Sequence, residues 1–518
     1  MAAFAIPRRL NWLDRTIAVF APRAAYRRGV ARAALDAPVA KRGYEGAAVG
    51  RRTDGWIAGR SSADAEISRA LVRLRNRARD LTRNNPHARK AIAVWTSNIV
   101  GTGIMPRARS GNAAIDRAAN ELWLEWSAVA DADGQLDMGG LQELMIREMV
   151  EGGEILVRRR LRLPQDNLPV PLQLQLMEGD LLDESRSINL GPRNIVSGIE
   201  FDAIGRRSAY WLFPGHPGNA SLLPTANIIS APVPASEIVH LYRKERTQVR
   251  GTPWGSAVIQ RLRDVDDATD ADILRMKIQS CIVAIVLGRD GDSIAPGTQN
   301  GLFVKDANGN PIEQFEPGLI AYSETGGSVE FNTPTAAGGF AEFHKLGLHS
   351  IAAGYLVPYE LLTGDLSEVN FSSARVGLVE FRRLVEAIQW LCIIPMALGP
   401  IWSWFCEAAY LAGKLPMREI PCDWDTPAFE SVNPIDDMNA DQIGTRSGFD
   451  SLFSVVARRT GRNPRVVLAE IAEANALVDE LGLILDSDPR RTARAGTEQP
   501  TTSPAPQPGQ RPPLRSVS

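Results

Sequence analysis

The sequence predicts an α+β protein in which helices carry most of the length. Three observations predict it. Apolar residues recur at helical spacing through roughly the first third of the chain. Short alternating or aliphatic runs, bounded by turn residues, dominate the next hundred or so residues. Two long helical patterns then flank a glycine-rich, strand-like stretch. At 518 residues the chain exceeds one ordinary core, so about two to four domains are expected. A hydrophobic content of 44% is that of a globular protein.

Residues 1–60, rich in Arg and Ala, read as a mobile arm with one short helix. Ser62 or Asp64 caps the next helix, where Leu71, Leu74, Ala78 and Leu81 form a stripe among Arg69, Arg73, Arg75, Arg77 and Arg79. Asn85-Pro86 is a cap-then-proline start for a helix through Ile92, Trp95 and Ile99 that stops at Gly101. Two more helices are expected around Ile115–Trp126 and Leu141–Val150. Strands follow at Ile155–Arg160, Leu172–Met177 and Glu237–Tyr242, with a hairpin over Ile199–Phe213 turning at Asp202–Gly205. One long helix is expected over Gly255–Leu287, a β-like stretch with turn chemistry at Asn308-Gly309-Asn310 and Thr325-Gly326-Gly327, and helix again over Phe340–Leu356. Ser373 to Leu391 reads as a second long helix. Residues 434–485 read as a small helical module with Val467, Ile471, Leu477 and Leu481 as its stripe and Asn463-Pro464 starting a helix. From Asp488 the Pro-, Thr-, Ser- and Gln-rich tail cannot bury enough to order itself.

A net charge of −2 hides an asymmetry. Residues 1–110 carry 22 Lys+Arg against 7 Asp+Glu; the remainder carries 36 against 53. A basic end on an acidic body points to polyanionic or oppositely charged partners, or to a basic arm with no partner. Cys281, Cys392, Cys406 and Cys422 form no C-x-x-C and read as core thiols in a reducing compartment. Arg8, Arg9 and Asp14 interrupt any secretory signal. Ile388–Gly413 is long and apolar enough to span a bilayer, but Pro395 and Pro400 would leave unpaired backbone groups in lipid. A buried or interfacial helix pair is the expectation.

No motif for bond-making chemistry is present. There is no G-x-x-x-x-G-K-[ST] and no G-x-S-x-G. Gly101-Thr102-Gly103 has Pro106 where a dinucleotide fold needs its third glycine, and it follows a helix. His344 and His349 lie about 140° apart around a helix and cannot clamp one metal. The expectation is a non-enzyme without metal or cofactor.

The segment Ile351 to Arg375, IAAGYLVPYELLTGDLSEVNFSSAR, resembles the signature of the lambda family of phage portal proteins, with Phe371 where Tyr is commoner. Further blocks resemble it in the same order. They are Arg79-Asp80-Leu81-Thr82-Arg83-Asn84-Asn85-Pro86, Asn98 to Ile104, and Gly152-Gly153-Glu154 before a strand. His240-Leu241-Tyr242 leads into Arg246, Gln248 and Arg250-Gly251-Thr252-Pro253-Trp254, followed by Gly318-Leu319-Ile320, Pro334 and Phe343. Together they span about residues 55–485.

The resemblance implies a homo-oligomeric ring, commonly of twelve copies, at the capsid vertex of a virion, assembled in the host cytoplasm. Double-stranded DNA would enter and leave through it without sequence specificity. Implied partners are the terminase large subunit, the major capsid and scaffold proteins and the head–tail connector, with no membrane. The expected divisions are a basic arm (1–60), an α+β wing (61–250), a stem helix (251–287), a β-rich clip (288–340), a second stem with tunnel loop and long wing helix (341–430), a helical crown (431–487) and a tail (488–518). A ring also gives the apolar segment around Trp390, Trp402 and Trp404 a place at subunit contacts.

Arginine-lined walls would bind phosphates and stall transport, whereas acidic ones repel them. Asp264, Asp266, Asp267, Asp270 and Asp272 are therefore candidates for an acidic channel wall, or else for a solvated or motor-docking face. The loop Thr363, Gly364, Asp365, Leu366, Ser367, Glu368 and Asn370, with Phe371, Ser372, Ser373 and Arg375 opening the next helix, would by resemblance project into the channel. By composition alone it is a polar interhelical loop, with Ser372 or Ser373 as helix cap. Alternatives are a membrane-associated pore and a different head–tail ring adaptor.

Overall fold

The computed structural model describes residues 51, 54–55, 59–190, 193–221, 229–280, 284–287, 320–323, 329–331, 339–367, 371–429, 434–461 and 463–483. Most of the basic arm, most of the glycine-rich stretch and the tail therefore lie outside the described residues.

Four helices open the body. α1 (Ala63–Asn84) starts where Ser62 Oγ accepts from the Ala65 N–H, and α2 (Pro86–Val100) starts where Asn85 Oδ1 accepts from Ala88. β1 (Met105–Ala108), α3 (Ala113–Ser127) and α4 (Met138–Glu151) follow. β2 (Glu154–Leu161), β3 (Leu172–Glu178), β4 (Ile188–Leu190), β5 (Arg193–Val196), β6 (Ile199–Phe201), β7 (Arg207–Leu212), β8 (Ala231–Pro234) and β9 (Ile238–Tyr242) form two sheets. One has order β3-β2-β9, the other β4-β5-β6-β7-β8, and every pairing in both is antiparallel. The expected strands and hairpin all form.

α5 (Ile259–Ser280) is shorter than expected. Residues 284–287, read as its last turn, are strand β10 (Ala284–Leu287), parallel to β11 (Ile320–Ser323) and antiparallel to β12 (Val329–Phe331). The β-branched Ile285 and Val286 favour the extended state once partner strands exist. α6 (Phe340–Tyr355), the short α7 (Tyr359–Thr363) and α8 (Phe371–Ile388) follow.

The proline-bearing segment corrects the expectation of a broken pair. α8 continues through a π-helical stretch, Gln389–Leu398, into α9 (Gly399–Leu411) as one rod. Pro395 has no N–H to give, and the i→i−5 pattern, seen where Gly399 N–H reaches Ile394 O, absorbs the break. Pro400, the second residue of α9, likewise has no N–H to give, so the rod lacks a second ladder bond there. The rod is long and apolar enough to cross a membrane. However, Ile393, Ala397, Leu398, Ile401, Phe405 and Ala409 are buried against the rest of the chain. Trp402 and Trp404 are core residues too, so of the three tryptophans expected at subunit contacts only Trp390 stays half exposed. Trp123, Trp126, Trp402 and Phe405 pack with ring centroids 4.9–5.4 Å apart. Indole N–H groups pin this core to backbone: Trp95 to Tyr355 O (2.8 Å), Trp126 to Leu172 O (2.7 Å) and Trp402 to Ile420 O (2.6 Å).

β13 (Cys422–Asp425) returns to pair with β1. α10 (Pro434–Arg446), α11 (Leu452–Thr460) and α12 (Pro464–Glu480) form the expected helical module. Its apolar stripe is mostly open: Val467 is half-buried, Ile471, Leu477 and Leu481 are exposed, and Phe449 is 90% exposed. Three short helices enclose too little volume to hide it.

Candidate functional site

α5 buries Leu262 and Val265 and lies along α6, where a Cβ on Gly347 would come within 2.8 Å of Val265 Cγ2. At about 100° per residue, five carboxylates over nine positions cannot share one face. Asp264, Asp267 and Asp270 are exposed, with Arg263 3.6 Å from Asp267. Asp266 is half-buried and accepts from Asn85 Nδ2 (2.7 Å), and buried Asp272 accepts from Arg275 Nε (2.8 Å). The expected five-residue wall is thus three exposed acids and two structural ones. Asp266 ties α5 to the residue that caps α2.

The loop after α7 is built on Asp365. Gly364 (φ 76°) ends the helix by donating its N–H to Glu360 O (2.8 Å). Asp365 Oδ1 accepts from the Ser367 N–H (3.0 Å) and hydroxyl (2.6 Å), while the Asp365 N–H donates to Thr363 Oγ1 (3.1 Å). The Ser367 bonds hold the Asp365 carboxyl below its usual range, so it is charged at neutral pH. Leu366 is 68% exposed beside it. Glu368 and Asn370 lie outside the described residues. α8 begins at Phe371, so Ser372 and Ser373 belong to its first turn and do not precede it as a cap. Arg375, grouped with this loop in the sequence, donates instead to Asp437 Oδ1 on α10 (3.1 Å).

Sequence reasoning missed the most heavily connected ionic constellation among the described residues. Glu154, at the start of β2, is fully buried. It accepts from Arg75 Nη2 (2.9 Å), from Arg250 Nε (2.9 Å), from the Gly251 N–H (2.9 Å) and from His240 Nε2 (3.0 Å). Arg75 also meets Asp180 (3.2 Å) and Glu184 (3.1 Å), and Arg250 donates to Ser197 O (3.0 Å) and Gly179 O (3.1 Å). Burial alone would raise the Glu154 carboxyl; Arg250 and His240 outweigh it and hold it well below the usual carboxylate range. Burial, aided by Arg207 and Arg250, lowers His240 to about 4. Its imidazole is therefore neutral: Nδ1 accepts from Arg207 Nη1 (2.9 Å) and Nε2–H donates to Glu154.

The backbone around this node leaves no room for side chains. A Cβ on Gly251 would lie 2.1 Å from Gly153 O, and one on Gly153 (φ 95°) 2.4 Å from the Thr252 carbonyl carbon. The node fixes the segment that leads through Trp254 into α5. Its members Gly153, Glu154, His240, Arg250 and Gly251 stand in the portal-like blocks of the sequence. Arg75 was hidden among surface arginines; its spacing from Leu71, Ala78 and Thr82, all buried, is the signal that placed it inside. Nearby, Glu178, Asp180 and His216 bring ligand atoms within 4.8 Å of one another. The Arg79 guanidinium already lies 2.8 Å from both carboxylates, which disfavours a metal cation there.

Residues 49–389 match the model of the phage portal protein, lambda family. The chain is 28% identical over 472 residues to a probable portal protein of Halomonas phage phiHAP-1, covering 86% of this chain and 88% of that one. Solved structures with some likeness include the neck of a native gene transfer agent particle computed with C12 symmetry (15% identity, 74% of this chain and 93% of that one, TM-score 0.41). Another is an HK97 family phage portal protein from Corynebacterium diphtheriae (10% identity, 68% of this chain and 94% of that one, TM-score 0.30). The matched span holds the Glu154 node, α5, α6 and the Asp365 loop together, and the chain belongs to the lambda family of phage portal proteins.

Proposed function

We propose that this portal protein lines the conduit for double-stranded DNA with α5 and the Asp365 loop, in a ring of twelve copies at the capsid vertex. The observation that carries the reading is the family match over the span that holds both elements. Asp264, Asp267 and Asp270 supply exposed negative charge that keeps phosphates from sticking, and the charged Asp365 does the same in the loop. Leu366 offers apolar contact without charge attraction. The work is geometric and electrostatic; the energy for packaging comes from a partner motor, the terminase, and the head–tail connector docks on the same ring. The divisions into arm, wing, stem, clip, crown and tail belong to this same proposal, with the stem helix ending at Ser280.

Replacing Asp264, Asp267 and Asp270 by Lys tests it. Ring assembly, read by native mass measurement, should persist while DNA packaging into capsids falls at least tenfold. Normal packaging by the triple variant would remove the acidic conduit.

A further inference from the structure

Strand β2 ends in Arg158-Arg159-Arg160-Leu161 with Arg162 directly after it, and alternation splits the run. Arg159 points to the rod, 3.1 Å from the Glu407 carboxylate. Arg158, Arg160 and Arg162 share the opposite face. Arg160 Nε donates to Gln175 Oε1 (2.8 Å) and Arg162 Nε to Gln173 Oε1 (2.7 Å), so both are held by neutral amide oxygens. Glu237, 3.7 Å from Arg158, is the acid paired with this row. Three like charges are thus lined up on a half-buried sheet face against one carboxylate, an arrangement that is repulsive by itself. Burial lowers Arg160, and its two neighbours lower it further.

We propose that Arg158, Arg160 and Arg162 form a binding row for the phosphodiester backbone of double-stranded DNA, separate from the acidic conduit. Alternate residues of a strand repeat at about 6.6 Å, close to the roughly 7 Å through-space separation of successive phosphates on one DNA strand, which wind about the axis as they rise about 3.4 Å each. Each guanidinium can therefore meet one of three successive phosphates. The glutamines fix the Nε edges of Arg160 and Arg162, which orients both side chains before DNA arrives. A row that holds DNA suits a place where the duplex rests, whereas the conduit needs a surface that lets it slide. This inference rests on the protein handling DNA, but not on which residues line the conduit.

The test is anisotropy of a fluorescent 20-base-pair duplex with assembled full-length rings, titrated at several salt concentrations. The variant Arg158→Gln, Arg160→Gln, Arg162→Gln should weaken binding about tenfold or more and reduce the log–log salt slope by about two to three. Arg69→Gln, Arg73→Gln, Arg77→Gln removes the same charge from exposed positions of α1 and should leave the slope within one unit. Equal losses in both variants, or none in the first, would overturn the row. Loss of poly-glutamate binding by the first variant, with duplex binding retained, would assign the row to an acidic protein and equally reject the proposal. Native mass measurement confirms that each variant still forms rings. Packaging by the Asp264, Asp267 and Asp270 variant is scored separately, so either reading can fail alone.

Discussion

Glu154 bonds two arginines that are sealed from water, with Asp180 and Glu184 completing the ion cluster. Removing one partner of a buried ion cluster leaves uncompensated charge. Glu154→Ala should therefore cost about 3–5 kcal/mol in denaturant unfolding. His240 adds an acid sensitivity. Its folded-state pKa, about 4, lies below its ordinary 6.5, so the unfolded chain binds the extra proton between those values. The stability it contributes is present above pH 6.5 and is lost as pH falls toward 4, on the order of 3 kcal/mol in all. Glu154, also depressed, works in the same direction at lower pH. His240→Gln should flatten the stability profile between pH 6.5 and 4; an unchanged slope would mean another group titrates there. The strand containing His240 was legible in the sequence, but the charge around it was not.

At the scale of elements, junctions matter more than interiors. Asn85 caps α2 through Oδ1 and holds Asp266 of α5 through Nδ2. Asn85→Ala should cost about 1–2 kcal/mol by loss of the cap alone. Asn85→Asp keeps the cap acceptor but sets two carboxylates against each other. Its recovery should therefore be incomplete, which thermal melting of the two variants will show. The caps Ser62, Asn85 and Asn463 were readable because capping is a local contest for the first free N–H groups. The end of α5 at Ser280 was not, because β10 exists only through partners more than thirty residues away. The unbroken rod through Pro395 was missed for a related reason: a π-helical stretch is chosen by packing on both sides of the proline.

For the whole molecule, the ring sets the functional expectations. Deleting Ser367–Phe371 should spare capsid assembly and impair DNA retention or translocation; a wild-type yield of filled particles would detach the Asp365 loop from the conduit. Truncation after Asp488 should leave the melting temperature of the body unchanged, and a large drop would show that the tail packs. The exposed stripe of α10–α12 leaves this module with little internal support, so hydrogen exchange should be faster there than in α2 or β2.

The sequence by itself determined the α+β class, the strands β2, β3, β6, β7 and β9, the caps Ser62, Asn85 and Asn463, and the portal family, because these rest on local spacing and on short ordered motifs. Only the tertiary structure decided which charges are structural. It turned Asp266 and Asp272 inward from the expected acidic wall, sent Arg375 to Asp437, and gathered Arg75, Glu154, His240 and Arg250 from positions up to 175 residues apart. A carboxylate's role depends on which cation stands within about 4 Å, and chain spacing does not encode that distance.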